Sequence, residues 1–524
     1  MLTQFFGKPF WITLSGLLGI FCLSIPIYLF IEPSQSQWFL WGIVAIVFAL
    51  TLWRLELGVF IAFAELIAFS HGHLISSSFA PFSLRIAIFF SVIFAWLVLL
   101  FSKKVRPQFN HPFVAPLIFI LVALFIGFAR AFSIAHLSAT DGALINHRIL
   151  VNALMDGNAY CYLLYAFPLL SVTWTSEKKR QLLQVFFAAS IWVGLLTLGI
   201  VFVFSHFPEW MLGTVYKFFR DTRLAEITKM YEGIFRVFLP SQIYPLFAAL
   251  VLGVFYWMRN LSKKEWIILS FIKGLCLATV IISLSRSYWL GGFVGVICFL
   301  ALNIIILKPG YKRVLHAFGS DIYTFFIAFF LIIFTLFLPI SYQQVGADGL
   351  SSVFASRTTD LGDVAISSRW KLLDPMLETI ASAPLLGSGF GTTVSFETDD
   401  PRAVAMTGGG IWTTYAMEWG WLELWLKMGL LGPIAFLFLF YRSIKGLWPY
   451  LSTKATWLGI GFISSLVILF CTHFFSPYLN HPLGLGLFLF LIPFIETRTS
   501  LKQEVIVKEE GLNKAKGMIE PALS

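Results

Sequence analysis

The sequence predicts an all-α, polytopic membrane protein of about fourteen transmembrane helices. Three observations carry that prediction. Only 12% of the 524 residues are charged, whereas a soluble domain carries about 25%, so this chain cannot coat a soluble surface. The mean hydropathy is +0.83, far on the apolar side. Apolar runs recur from one end of the chain to the other, and the 57 Phe and 18 Trp suit lipid and its boundary with water. A cytosolic enzyme, a disulfide scaffold and a disordered chain are excluded together.

A spanning helix needs about 20 mostly apolar residues. Such runs fall at 10–31, 38–53, 58–69, 85–101, 113–132, 160–174 and 183–204. They continue at 240–258, 266–284, 289–307, 323–340, 411–441, 457–475 and 483–494. The runs at 38–53, 58–69 and 483–494 are short for a span.

The connections follow the charge rule for membrane topology. Lys103, Lys104 and Arg106, then Lys178, Lys179 and Arg180, then Arg259, Lys263 and Lys264 lie on one side of an alternating chain. Lys308, Lys312 and Arg313, then Arg442, Lys445 and Lys454, fall on that side too. The short loops 32–37 and 476–481 on the other side hold no Lys or Arg. Cytoplasmic loops carry the excess of Lys and Arg, so both termini are expected in the cytoplasm. The first run has no clear cleavage site and reads as an uncleaved anchor. The body is assigned to 1–497, and 498–524 to a solvated cytoplasmic tail of mixed charge.

Three outward connections are longer: 133–158, 206–239 and 341–410. Long loops are commonly functional. Within the last, Trp370, Leu373, Leu377 and Ile380 recur at helical spacing, which predicts an amphipathic helix lying on the outer membrane surface. Pro375 is expected to kink it. Ala383-Pro384 and the run Gly387-Ser388-Gly389-Phe390-Gly391 end it.

Arginines on the outward side break the charge rule and are informative. Arg286 sits in the tight turn Ser285-Arg286-Ser287, Arg236 precedes the eighth run, and Arg369 opens the amphipathic helix. Three guanidiniums at one depth can converge on one anion, because the planar fork binds phosphate bidentately and stays charged. The alternative is that each snorkels to lipid phosphates, the expected role of Arg85, Arg220 and Arg402. Lys273 and Glu65 fall inside spans, where a charge marks function by default. Lys273 equally suits a partner on a neighbouring helix, and Glu65 suits Arg54 or Arg130. His71-Gly72-His73 has no ligand at metal spacing, and the five cysteines lie singly in apolar runs. No metal, cofactor or nucleic acid is expected, and no phosphate-binding P-loop occurs.

Three pieces resemble the O-antigen ligase and polymerase superfamily. The first is Ser285-Arg286-Ser287-Tyr288-Trp289-Leu290-Gly291-Gly292. The second is Ser368-Arg369-Trp370 followed by Ala383-Pro384-Leu385-Leu386-Gly387-Ser388-Gly389. The third runs from Gly420 to Lys427-Met428-Gly429-Leu430-Leu431-Gly432. Arg236 is similar to the family's earlier outward arginine. The specific likeness covers about 231–441.

The resemblance implies a glycosyltransferase of the bacterial inner membrane. Its donor would be a glycan on undecaprenyl diphosphate, and its acceptor a glycan, a lipid A-core or a protein. Arg236, Arg286 and Arg369 would hold the diphosphate without a metal. Where ligases of the family carry His, fourteen residues before Gly432, this chain has Glu418. That departure leans toward a polymerase-like or divergent member.

The chemistry is coherent without the name. No nucleotide triphosphate is available outside the inner membrane, so the activated bond must arrive with the donor. Fixed cations facing the leaving diphosphate would be the largest catalytic contribution. Glu418 is the first candidate for the base that takes the acceptor's proton, with Glu423 and His473 behind it. A plain salt bridge from Glu418 to Arg369 is the alternative. Two other classes compete: a transporter or flippase of lipid-linked sugars, and an assembly protein of the cell-shape type. The two halves of the chain show no repeat of the transporter kind.

Overall fold

Each of the fourteen apolar runs contains helix, and the twelfth also contains a strand. A computed structural model describes residues 5–76, 82–137, 143–231, 233–340, 353, 364–399 and 401–495. The tail at 498–524 and most of 341–363 lie outside the described residues. Among the described residues, ten helices are long and apolar enough to cross a membrane.

The other four runs are helical but shorter or broken. Leu55–Ala68 spans 14 residues. The sixth run is a 3₁₀ segment, Asn158–Tyr165, followed by Ala166–Ser171. The twelfth run is strand Ile411–Thr414, helix Gly420–Met428 and helix Leu431–Leu447. Gly429 separates the last two at φ +66, a conformation that only glycine adopts freely. The last run is Pro482–Leu491 with a 3₁₀ turn to Phe494.

Pro240–Met258, Ser176–His206 and Thr456–Phe475 form the centre, with most of their lengths buried. Lys8–Phe30, Ser34–Trp53, Arg286–Leu307 and Tyr311–Leu336 are largely uncovered and present the lipid face. Aromatic rings fill the middle. Phe186, Phe462 and Phe490 meet pairwise with centroids 5.0–5.9 Å apart, within the range in which ring pairs add to plain burial.

Connections gather at two opposite ends, as strict alternation requires. At one end Ser70 Oγ meets Ser241 Oγ at 3.1 Å, Tyr160 donates to Asn480 at 2.9 Å, and Tyr478 donates to the Pro240 carbonyl at 2.7 Å. At the other, His111 Nε2 meets the Ile495 carbonyl at 3.0 Å, and Lys178 pairs with Glu56 at 3.2 Å. Arg442 donates to the Pro112 carbonyl at 3.3 Å there.

The two charges that the sequence places inside spans, Lys273 and Glu65, are both partnered. Lys273 pairs with Asp321 on Tyr311–Leu336, a helix packed beside its own, the helix-neighbour role open to it from sequence. Glu65 takes neither Arg54 nor Arg130. It holds Arg85 through two bonds of 3.1 Å. The antiparallel neighbours Leu55–Ala68 and Leu84–Phe101 set those two residues side by side. Arg85 is therefore buried and does not snorkel. Arg54 instead takes Glu56 at 2.7 Å, and Arg130 donates to the Gly387 carbonyl at 3.2 Å.

Candidate functional site

The turn between Lys263–Ile282 and Arg286–Leu307 is held in an unusual backbone. Leu284 lies at φ +47, a region that costs a branched residue roughly 1–2 kcal/mol. It stays there because its side chain is buried with Ile234 and Val353. Arg286 begins the following helix, whose N-terminus has no side-chain cap. Ser285 Oγ turns instead to Ser287 Oγ at 3.0 Å. A helix N-terminus without a side-chain cap presents N–H groups and the positive end of the helix dipole. Arg286 adds a full charge at the same place.

Arg236 joins this turn. It lies on strand Ile234–Phe238, paired antiparallel with Glu226–Tyr231. Its Nε donates to the Ser283 carbonyl at 2.9 Å, and its guanidinium lies 5.0 Å from the Phe238 ring centre. Beneath it, Tyr288 and Tyr478 both donate to the Pro240 carbonyl, at 2.8 and 2.7 Å.

Arg369 lies on Val364–Ser382, a helix that continues through Pro375 without a break. The buried stripe differs from the expected one. Leu372, Met376 and Ile380 face inward against Val394, Met417 and Leu426. Trp370 and Leu377 stay exposed. The helix has apolar residues on two faces, and the face that covers the protein is not the one that best fits the spacing. Lipid tails are as apolar as leucine, so periodicity alone does not distinguish the two faces.

The Arg369 side chain closes on Glu418 in a direct ion pair. The alternative of a salt bridge between these two residues is thus what the geometry displays. Trp419 locks the pair, donating its indole N–H to the Arg369 carbonyl at 2.9 Å. Glu418 is exposed. Glu423 and His473, the other candidate bases, are buried. Glu423 is paired with Lys427. His473 packs on Trp421 with ring centres 5.0 Å apart, and its Nδ1 accepts the Leu479 N–H at 3.2 Å. Neither is presented to a substrate.

The two arginine pairs meet at the end of helix Thr456–Phe475. The Trp419 ring packs on Phe475 at 5.4 Å. The adjacent Ser476 donates to Ser287 Oγ at 3.0 Å, and Ser287 follows Arg286. All four residues named from sequence are therefore placed at one end of the bundle, two on each side of this bridge. Sequence reasoning missed Tyr288, Tyr478, Trp419 and Ser476. Tyr288 and Trp419 were signalled only by closeness to Arg286 and Glu418 in sequence, and nothing local pointed to Ser476 or Tyr478.

The glycine run is a backbone junction. Gly387 and Gly389 lie at φ +73 and +90. A Cβ on Gly387 would sit 2.4 Å from the Gly429 nitrogen. The Ser388 N–H donates to the Leu426 carbonyl at 2.7 Å, and the Phe390 N–H to the Gly127 carbonyl at 3.2 Å. The run thus fixes the exit of the Arg369 helix against the helix that follows Glu418.

Residues 271–437 match the family model described as O-Antigen ligase. The segment contains Arg286, Arg369 and Glu418 and leaves Arg236 outside. No curated protein matches the chain. Among the described residues, no group of three or more His, Cys, Asp or Glu is arranged to hold a metal ion.

Proposed function

We propose, from the O-antigen ligase match over residues 271–437, that the chain transfers or polymerises a glycan carried on undecaprenyl diphosphate. The acceptor is a sugar, a lipid A-core or a protein, and the reaction occurs at the periplasmic face of the bacterial inner membrane. The observation that carries this reading is the bridge from Arg369–Glu418 through Trp419, Phe475 and Ser476 to Arg286. It gathers cations and one exposed carboxylate at a single end of the bundle.

In this reading Arg286, Arg236 and the positive N-terminal end of the Arg286 helix hold the diphosphate. The acceptor oxygen attacks the anomeric carbon, and the bond from that carbon to the diphosphate oxygen breaks. Negative charge grows on the leaving diphosphate, where fixed donors act most strongly. Glu418 accepts the acceptor's proton as the new glycosidic bond forms. Arg369 orients the Glu418 carboxylate and adds its charge to the same region.

The decisive experiment uses purified protein and an undecaprenyl-diphosphate-linked glycan. Arg286→Ala and Arg369→Ala should each lower transfer by about 10²–10³-fold, the usual cost of one charge-stabilising donor. Lys should restore only part, because it lacks the bidentate fork. Near-parental transfer by both Ala variants would return these arginines to lipid contacts.

A further inference from the structure

Lys427 is 2% exposed and stands against two carboxylates, one of them from a distant part of the chain. One is Asp156, on helix Ala143–Gly157; the other is Glu423, one turn earlier on its own helix. Each carboxylate has a second task. Asp156 Oδ2 accepts the Gly391 N–H at 3.1 Å, and Glu423 Oε1 accepts the Met417 N–H at 3.4 Å.

Gly391 and Met417 are the two feet of one excursion. Between them lie the antiparallel strands Val394–Glu397 and Ile411–Thr414 and the short helix Pro401–Thr407. A single buried ammonium thus fastens both feet. Glu418, the carboxylate of the Arg369 pair, is the next residue after the second foot.

Stability alone does not account for this arrangement. Three charges are withdrawn from water, and well-packed apolar residues in their place would commonly be as stable or more so. Glu423 Oε2 even lacks a hydrogen-bond partner among the described residues. What the charges do supply is direction: a fixed distance between helix Ala143–Gly157, the glycine run and the residue before Glu418.

We propose that Lys427, acting through Asp156 and Glu423, is a positioning residue that holds Glu418 against Arg369 by clamping both feet of the excursion. This rests on the reading of Arg369 and Glu418 as part of the reaction centre. A misplacement near 1 Å can cost on the order of 10²-fold in rate, so a loosened foot should be felt in the chemical step.

The test uses the full chain with its five cysteines replaced and spin labels on cysteines at the exposed positions Leu154 and Thr393. Pulsed electron resonance reads the distance between the helix and the first foot. Lys427→Met should broaden that distribution. Asp156→Asn keeps an acceptor for Gly391 but loses the charge, and it should broaden the distribution less, which serves if Lys427→Met fails to accumulate. Both should lower kcat ten-fold or more while leaving donor KM within about two-fold. Parent-like distributions in the variants would overturn the clamp, as would an unchanged kcat. A parent chain that transfers no glycan would remove the functional reading instead, and the distances would still decide the clamp.

Discussion

Arg236 Nε donates to the carbonyl of Ser283 at 2.9 Å, so the strand before helix Pro240–Met258 holds the turn that presents Arg286. Arg236 accordingly has two separable roles, a charge and a brace. Arg236→Gln keeps a donor for the carbonyl and loses the charge, whereas Arg236→Ala loses both. Glycan transfer should fall by about 10²-fold in the Ala variant and less in the Gln variant. Equal losses in the two would leave charge as the whole contribution.

Glu418 faces solvent beside Arg369, while Glu423 and His473 are enclosed. Glu418→Gln should slow transfer by about 10²–10⁴-fold, the usual share of a general base. Donor binding should persist, because the arginines are untouched. Glu418→His should recover part of the rate. A Gln variant at the parental rate would send the acceptor's proton to water or to the leaving diphosphate.

Sidedness can be read by chemistry at two exposed positions, Gly409 and Lys264. In a cysteine-free background, Gly409→Cys should react with an impermeant thiol reagent in intact cells, and Lys264→Cys only after lysis. The charge asymmetry of the loops motivates the expectation. Labelling of position 264 from outside would invert the topology.

The imidazoles of His71 and His481 lie 3.3 Å apart at the arginine-bearing end. Burial, then the Arg85 charge, holds His71 down to about 4, and burial with Arg85 and Arg223 holds His73 down to about 4. Burial, then His71, holds His481 well below the usual range. The unfolded chain binds these protons near 6.5, the ordinary histidine value, whereas in the folded chain His71 and His73 do not bind theirs until about 4 and His481 is held well below its ordinary value. Stability should therefore fall as pH drops from about 6.5 to about 4. The unfolding midpoint in detergent should show this fall, and replacing His71 and His481 with Asn should flatten it. A parent midpoint that is level across that window would refute the assignment.

Much of the fold is legible because lipid imposes a length and charge rule on every span. The helix at Val364–Ser382 and the pairing of Arg369 with Glu418 were also within reach, since both follow from position along one segment. The partner of Glu65 was not. Choosing Arg85 over Arg54 requires the register of two neighbouring helices, which apolar patterning does not encode. Of the inward stripe, Leu372 and Met376 were missed for a related reason, while Ile380 was named. The Lys427 cluster depends on Asp156, far upstream, and no local spacing announces it.

The hydroxyl that Tyr478 places on the Pro240 carbonyl, beside Tyr288, has a consequence for biosynthesis. A chain made from its N-terminus delivers Arg236, Arg286 and Arg369 long before Ser476 and Tyr478 leave the ribosome. The arginine turn is therefore held at first by Arg236 alone on the Ser283 carbonyl, and it gains the Ser476 contact only when that later connection arrives. A truncated product that retains all three arginines would still lack their final support. The supports of the Arg286 turn are thus assembled in order of synthesis, the Arg236 bond to Ser283 first and the Ser476 and Tyr478 contacts after it.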